Sequence, residues 1–173
     1  MRFRSFLRPL RICFPCILLA TPAAGQVLPA PPELAAALLV KLAAFEKRTA
    51  ASGDVTVYVL GDVKAAAEFR KCVGTPIGTS RLARVASGTG LPAEAPSILF
   101  VGEKADVKAA IGYTQSRKIM SAAADPARVA EGVSLGVGVG ADSKPKIVLN
   151  LSSSSEEDLD WNPAILKMAK TIR

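Results

Sequence analysis

The sequence contains no histidine among its 173 residues. That absence removes the commonest general base, the commonest metal ligand and the usual switch near neutral pH together. Cysteine is almost as scarce. Of the 3 cysteines, Cys13 and Cys16 lie near the amino terminus and only Cys72 lies beyond it. A lone thiol makes no intramolecular disulfide. In an oxidising compartment Cys72 is either buried or open to a second chain, and burial is the usual fate of free cysteine. Long apolar runs are missing too. The longest, Ile12 to Ala20, falls short of the roughly 20 residues that span a bilayer. What the chain has in quantity is aliphatic and alanine content. Hydrophobic residues make up 50% of it, enough for one domain with a real core and too much for disorder.

The formal charge of +7 is unevenly placed. Arg2, Arg4, Arg8 and Arg11 precede the apolar run, and Thr21, Pro22, Ala23, Ala24 and Gly25 follow it. A basic head, a short apolar middle and a small-residue cleavage region predict a secretory signal peptide over residues 1–25, cleaved near Ala24 or Gly25. The predicted location is the periplasm, with no stable membrane insertion once the leader is gone. Cys13 and Cys16 would leave with the leader, so their C-x-x-C spacing is no redox motif. The leader carries four arginines and no acid, so its removal takes the charge from +7 to an ordinary +3. Nucleic-acid binding then lacks the concentrated basic face that it needs.

Residues 26–32 form a Pro-rich extended arm, and residues 33–173 read as one domain. Leu34, Leu38, Leu42 and Phe45 recur at helical spacing within Glu33 to Ala50, and Ser52-Gly53-Asp54 ends that helix. Val55 to Leu60 is a β-branched strand, and Val63 to Val73 a helix closed by Gly74. Leu82 to Val85 predicts a short strand. Ile98 to Val101 is apolar without alternation, the pattern of a strand buried on both faces. Gly102 ends it, and a helix is expected from Ala105 to about Thr114. Lys118 to Ala123 predicts a further strand. Val133, Leu135, Val137 and Val139 alternate at period two and pair with Ile147 to Leu151 in an antiparallel hairpin. Ser152 to Asp158 reads as a polar connector. Asn162 as cap and Pro163 at the first helical position then open a closing amphipathic helix to Ile172. The fold class that follows is α/β: a single Rossmann-like sandwich with a mixed sheet, a hairpin in the C-terminal half and a closing amphipathic helix.

Motifs that carry chemistry are weak. Gly136, Gly138 and Gly140 are spaced G-x-G-x-G, not as a dinucleotide fingerprint, and a strand pattern runs through them. Glu156, Glu157, Asp158 and Asp160 form an acidic cluster without EF-hand spacing and read as a solvated loop. The serines at 152–155 have no histidine to activate them, and no spacing supports a Ser–Lys arrangement. Trp161, the single tryptophan, reads as a staple for the last helix or as an interface anchor. Tyr58 and Tyr113 default to packing. The candidate interface or redox residues are Cys72 and Trp161. No catalytic residue, metal ligand or cofactor site is expected. If a small molecule binds, it does so in a crevice at the carboxyl ends of the strands, lined by the Gly61-Asp62 and Gly102-Glu103 turns.

V-L-G-D at Val59–Asp62, S-I-L-F-V-G at Ser97–Gly102, I-V-L-N-L at Ile147–Leu151 and P-A-I-L-K-M-A-K-T-I at Pro163–Ile172 appear in an order that resembles the YfiR/HmsC-like family of small periplasmic proteins. The likeness spans Leu34 to Ile172. The chain departs from the family pattern where an F-x-x-W-P segment would follow the first helix. It departs again where Pro96 and Ser97 replace a cysteine and a histidine, and where paired cysteines are reduced to Cys72. The resemblance implies a non-enzymatic α/β regulatory protein, able to form a homodimer. It would bind the periplasmic part of a membrane-anchored signalling enzyme such as a diguanylate cyclase and hold it inactive. The alternative is a periplasmic small-molecule-binding domain with no cyclase partner.

Overall fold

The computed structural model describes residues 27–173; the expected leader lies outside the described residues. In chain order the elements are β1 (Leu28–Pro29), α1 (Pro32–Ala43), α2 (Lys47–Ala50), β2 (Asp54–Leu60), α3 (Val63–Lys71), β3 (Pro76–Ile77), β4 (Ser80–Gly88) and β5 (Ile98–Val101). There follow α4 (Val107–Arg117), β6 (Met120–Ala123), α5 (Ala127–Ala130), β7 (Leu135–Val139), β8 (Pro145–Asn150), α6 (Leu151–Glu156), α7 (Pro163–Leu166) and β9 (Lys170–Ile172).

One mixed sheet organises the chain, in the order β3-β4-β2-β5-β6-β7-β8-β9. Its middle, β4-β2-β5-β6-β7, is parallel throughout. With these five strands numbered along the chain, the order is 2-1-3-4-5, that of a flavodoxin-like doubly wound sheet. The reason lies in β5. Ile98 and Phe100 enter one core, with α1 and α3; Leu99 and Val101 enter the other, with Val107 and Ala110 of α4. All four residues are buried, as an apolar run without alternation requires. Phe69 of α3 meets Phe100 edge-on at 5.2 Å between ring centroids, a favoured aromatic geometry.

The β7–β8 hairpin is antiparallel, pairing Leu135 with Leu149 and Val139 with Pro145. Glycine in β7 serves close approach. A Cβ at Gly136 would collide with Val129 Cγ2, and one at Gly138 would collide with Pro126 Cγ and lie 2.7 Å from the Leu28 carbonyl. The glycines thus admit α5 and β1 against the strand.

Several elements differ from expectation. The first helix breaks at Ala44–Glu46, where the Glu46 carboxylate turns back to cap α2. Its inward face is Ala35, Ala36, Leu39, Val40, Leu42 and Ala43, while Leu34 and Leu38 are only partly covered. Small alanines permit the closer approach. The Pro-rich arm is extended but does not stand clear of the domain: Leu28–Pro29 pairs antiparallel with β7 and Ala30 is buried. Ser152 to Glu156 is helical, not a connector, because Asn150 caps the segment by accepting from Ser153 N at 3.0 Å. The largest correction concerns the closing helix. Only Pro163–Leu166 is helical, and Lys170–Ile172 becomes β9, parallel to β8. Ile165 is fully buried, whereas Leu166 and Met168 are exposed. A helix continued to Ile172 would leave the open edge of β8 unpaired, and pairing that edge outweighs local helix propensity.

Candidate functional site

In an open α/β sheet, ligands and partners reach the crevice at the carboxyl ends of the strands, where the strand order reverses. Here the chain leaves β2 toward β4 on one side and returns to β5 on the other. The reversal therefore lies between the ends of β2 and β5, at the turns Gly61-Asp62 and Gly102-Glu103. Two concavities meet there and share Asp62 and Glu103. One, of about 360 Å³, is floored by Phe100, Val101 and Ala65 and walled by Asp125, Arg128 and the arm residues Pro29, Ala30 and Pro32. The other, of about 770 Å³, opens between β4, β2 and β5 and carries Lys64, Lys104, Ser87 and Thr89.

Local structure positions each polar group. Asp62 caps α3, its Oδ1 accepting from Ala65 N at 2.9 Å. Asp125 Oδ1 accepts from Ala127 N at 2.9 Å. A guanidinium N–H of Arg128 donates to the Glu103 carbonyl at 2.9 Å, tying the end of β5 to α5. Arg70 donates to Ser87 Oγ at 2.9 Å. The rim includes Val63, which is 82% exposed. The result is an apolar floor with charged walls. Among the described residues no group of three or more carboxylates or cysteines is placed to hold a metal ion.

The other candidates fall elsewhere. Cys72 caps the end of α3, half-buried, and its thiol donates to the Glu68 carbonyl at 3.6 Å. Burial, and then the neighbouring Glu68 carboxylate, push that thiol above its usual range. Trp161 lies in the main core at 9% exposure, its Nε1–H donating to Ser154 Oγ at 2.9 Å. Cys72 and Trp161 belong to the same core as the crevice floor residues Ala65 and Phe100, but neither of them lines either concavity. Ser154 in turn donates to the Asn150 carbonyl at 2.7 Å, so its hydroxyl is structural. Tyr58 and Tyr113 donate to the carbonyls of Gly90 and Glu94 at 2.8 and 3.3 Å, fastening the loop over residues 89–97. Sequence reasoning found the two crevice turns but missed Arg128 and the arm. Neither carries a local signal, since both enter through long-range pairing.

The acidic cluster needs correction. Glu156, Asp158 and Asp160 are exposed, but Glu157 is fully buried. Its carboxylate accepts from Thr114 Oγ1 at 2.6 Å, from Ser121 N at 3.0 Å and from Ser134 Oγ. Burial pushes its pKa up, against the lowering effect of those hydrogen bonds.

Among the described residues no helix is long and apolar enough to cross a membrane. No curated protein matches the sequence. A conserved domain protein of Vibrio cholerae O1 biovar El Tor strain N16961 is similar in structure, with a TM-score of 0.53 and 13% identity over 83% of this chain and 60% of that one. At that identity the likeness concerns the fold. The chain thus spans less than two thirds of that structure's length. A family model described as YfiR/HmsC-like matches residues 32–170, from the start of α1 to the start of β9. The chain therefore belongs to the YfiR/HmsC-like family, whose members are periplasmic, regulatory and non-catalytic.

Proposed function

We propose that this protein is an exported repressor that binds the periplasmic part of an inner-membrane signalling enzyme, such as a diguanylate cyclase, and holds it inactive. The observation that carries this reading is membership of the YfiR/HmsC-like family over residues 32–170. A strand-end crevice with an apolar floor and charged walls agrees with a role in binding. Repression of this kind needs no chemistry. The protein has only to bind the inactive state of its partner more tightly than the active one, and the shift cannot exceed that difference. Moving a partner from nearly all active to nearly all inactive takes a preference of about 10⁴-fold. The test is intracellular cyclic di-GMP in a strain lacking the gene, complemented by the full-length and the leaderless chain. A rise reversed only by the exported form supports the reading; no rise refutes it.

A second reading rests on the concavity of about 360 Å³ beneath the arm. That volume suits a small ligand. In this reading the protein binds a small molecule at the crevice and has no cyclase partner. A thermal-shift panel with the wild type and Arg128→Ala separates the two. A ligand that raises the wild-type midpoint and not that of the variant favours binding at the crevice.

A further inference from the structure

Glu157 is a fully buried carboxylate that the crevice and the family reading leave without a task. It sits where the end of α6, the end of α4 and the starts of β6 and β7 converge, on the side of the sheet opposite the crevice ends of these strands. Among the described residues no lysine or arginine pairs with it. A fully buried carboxylate without a cation is expensive to keep ionised.

The surrounding hydroxyls show how the site can hold a proton. Thr114 Oγ1 lies 2.6 Å from Glu157 Oε1 and 3.1 Å from the Ile111 carbonyl. A threonine hydroxyl has one proton to give. With Glu157 ionised, that proton goes to Oε1. With Glu157 protonated, the acid donates to Thr114 Oγ1 and the Thr114 proton turns to Ile111. Ser121 N and the Ser134 hydroxyl continue to donate to Oε2 in both states, and Ser134 N donates to Ser121 Oγ at 2.9 Å. Among the described residues no buried side-chain polar atom is left without a partner. The cluster thus satisfies the neutral acid without moving a backbone atom.

The charged groups around it do not supply the missing cation. On α4 these are Arg117, stacked over the Tyr113 ring at 5.6 Å, and its neighbour Lys118, which donates to the Glu156 carbonyl at 2.8 Å. On α6 it is Glu156, exposed and held by Gln115. In the turn beyond it is Asp158, paired with Arg48 at 2.6 Å. Near the entrance to β7, Arg128 and Glu131 face each other at 3.8 Å. Strands β6 and β7 carry no charged residue.

We propose that Thr114, Ser121, Ser134 and Glu157 form a built-in proton-binding site, and that loss of this proton loosens the junction of α4, β6 and α6. A group that holds its proton more tightly folded than unfolded stabilises the fold most below its unfolded pKa. That stability is lost as the pH rises through the folded pKa. The direction is the reverse of ordinary acid denaturation. Trp161 is placed to report it, because its indole N–H donates to Ser154 on the helix that ends beside Glu157.

The test compares the full chain with Glu157→Gln. Glutamine reproduces the neutral acid: its amide donates toward Thr114, and its oxygen accepts from Ser121 N and Ser134. Urea unfolding is followed from about pH 4 to pH 9, a range that brackets the ordinary and raised carboxyl values. The expected result is a wild-type midpoint that falls relative to the variant by roughly 0.5 M or more as the pH rises. A Trp161 emission change on the same pH midpoint should accompany it in the wild type alone. A difference that stays flat with pH overturns the proposal, as does a Trp161 response identical in both proteins. If the variant folds poorly, the carboxyl carbon of Glu157 in the unaltered chain decides by NMR. A midpoint above the ordinary glutamate range supports the site, and one within it overturns the site.

Discussion

Replacing Glu46 with alanine should destabilise this protein far more than any exposed acid does. Glu46 is 1% exposed and takes three backbone N–H groups: Thr49 at 2.7 Å, Arg48 at 3.3 Å and Asp160 at 3.1 Å. The last bond joins residues 114 positions apart. Around it, Lys47 N donates to the Asp160 carbonyl at 3.0 Å and Asn162 N to the Phe45 carbonyl at 2.7 Å. One carboxylate therefore caps α2 and anchors the C-terminal turn to the end of α1. Each buried donor left without an acceptor costs about 1–3 kcal/mol. The Thr49 donor is buried and carries the full amount, the Asp160 donor is part-buried and carries less, and the long Arg48 bond adds little. The total is about 3 kcal/mol, a sizeable share of the roughly 5–15 kcal/mol that holds a domain folded. At an m-value near 2 kcal/mol/M in urea, the midpoint should fall by about 1.5 M. Asp160→Ala is the control. It removes the exposed pair with Lys47 at 2.9 Å but keeps the Asp160 backbone donor, and should cost less than about 1 kcal/mol. Equal losses in the two variants would refute the assignment of Glu46 as the anchor.

Three further outcomes follow from the packing. Phe69→Ala removes a fully buried ring in edge contact with Phe100 and should lower stability by about 3–5 kcal/mol; a calorimetric midpoint within a degree or two of wild type counts against it. Gly138→Val forces side-chain atoms into Pro126 and the Leu28 carbonyl. It should release the arm from β7, seen as faster proteolytic trimming ahead of Ala30, and an unchanged cleavage rate contradicts the role given to that glycine. Cys72, with its thiol pushed up chiefly by burial, should hold less thiolate at pH 8 than free cysteine and react more slowly with a disulfide reagent. The reaction should gain speed at higher pH and reach the free rate on unfolding; the free rate in the folded protein refutes the burial argument.

What could be read in advance, and what could not, divides by sequence distance. Ile98 to Val101 declared a doubly covered strand because every one of its residues needed burial. The hairpin of β7 and β8 was legible from alternation and a short turn. The turns at Gly61-Asp62 and Gly102-Glu103 were legible because a strand that stops at a glycine before a helix is a local pattern, strengthened in the first by the cap Asp62. The end of the chain was misread for the opposite reason. Pro163 to Ile172 has the composition of a helix, and only the distant edge of β8 makes Lys170–Ile172 a strand. The same holds for the acids. In sequence Glu157 is one of four carboxylates among neighbouring residues, indistinguishable by type from Glu156 and Asp158. Its burial follows from Thr114, Ser121 and Ser134, which lie 43, 36 and 23 residues away. Glu46 likewise stands between ordinary helix residues, and its one distant partner is Asp160. All three donors to Glu157 and one of the three to Glu46 are brought in from distant parts of the chain. Side-chain networks of this kind leave no periodic trace, because a hydroxyl or a backbone N–H that satisfies a buried acid can come from any residue that the topology brings near. In this protein they lie away from the crevice, at the joints between early and late parts of the chain, where a change of charge acts on stability before it acts on binding.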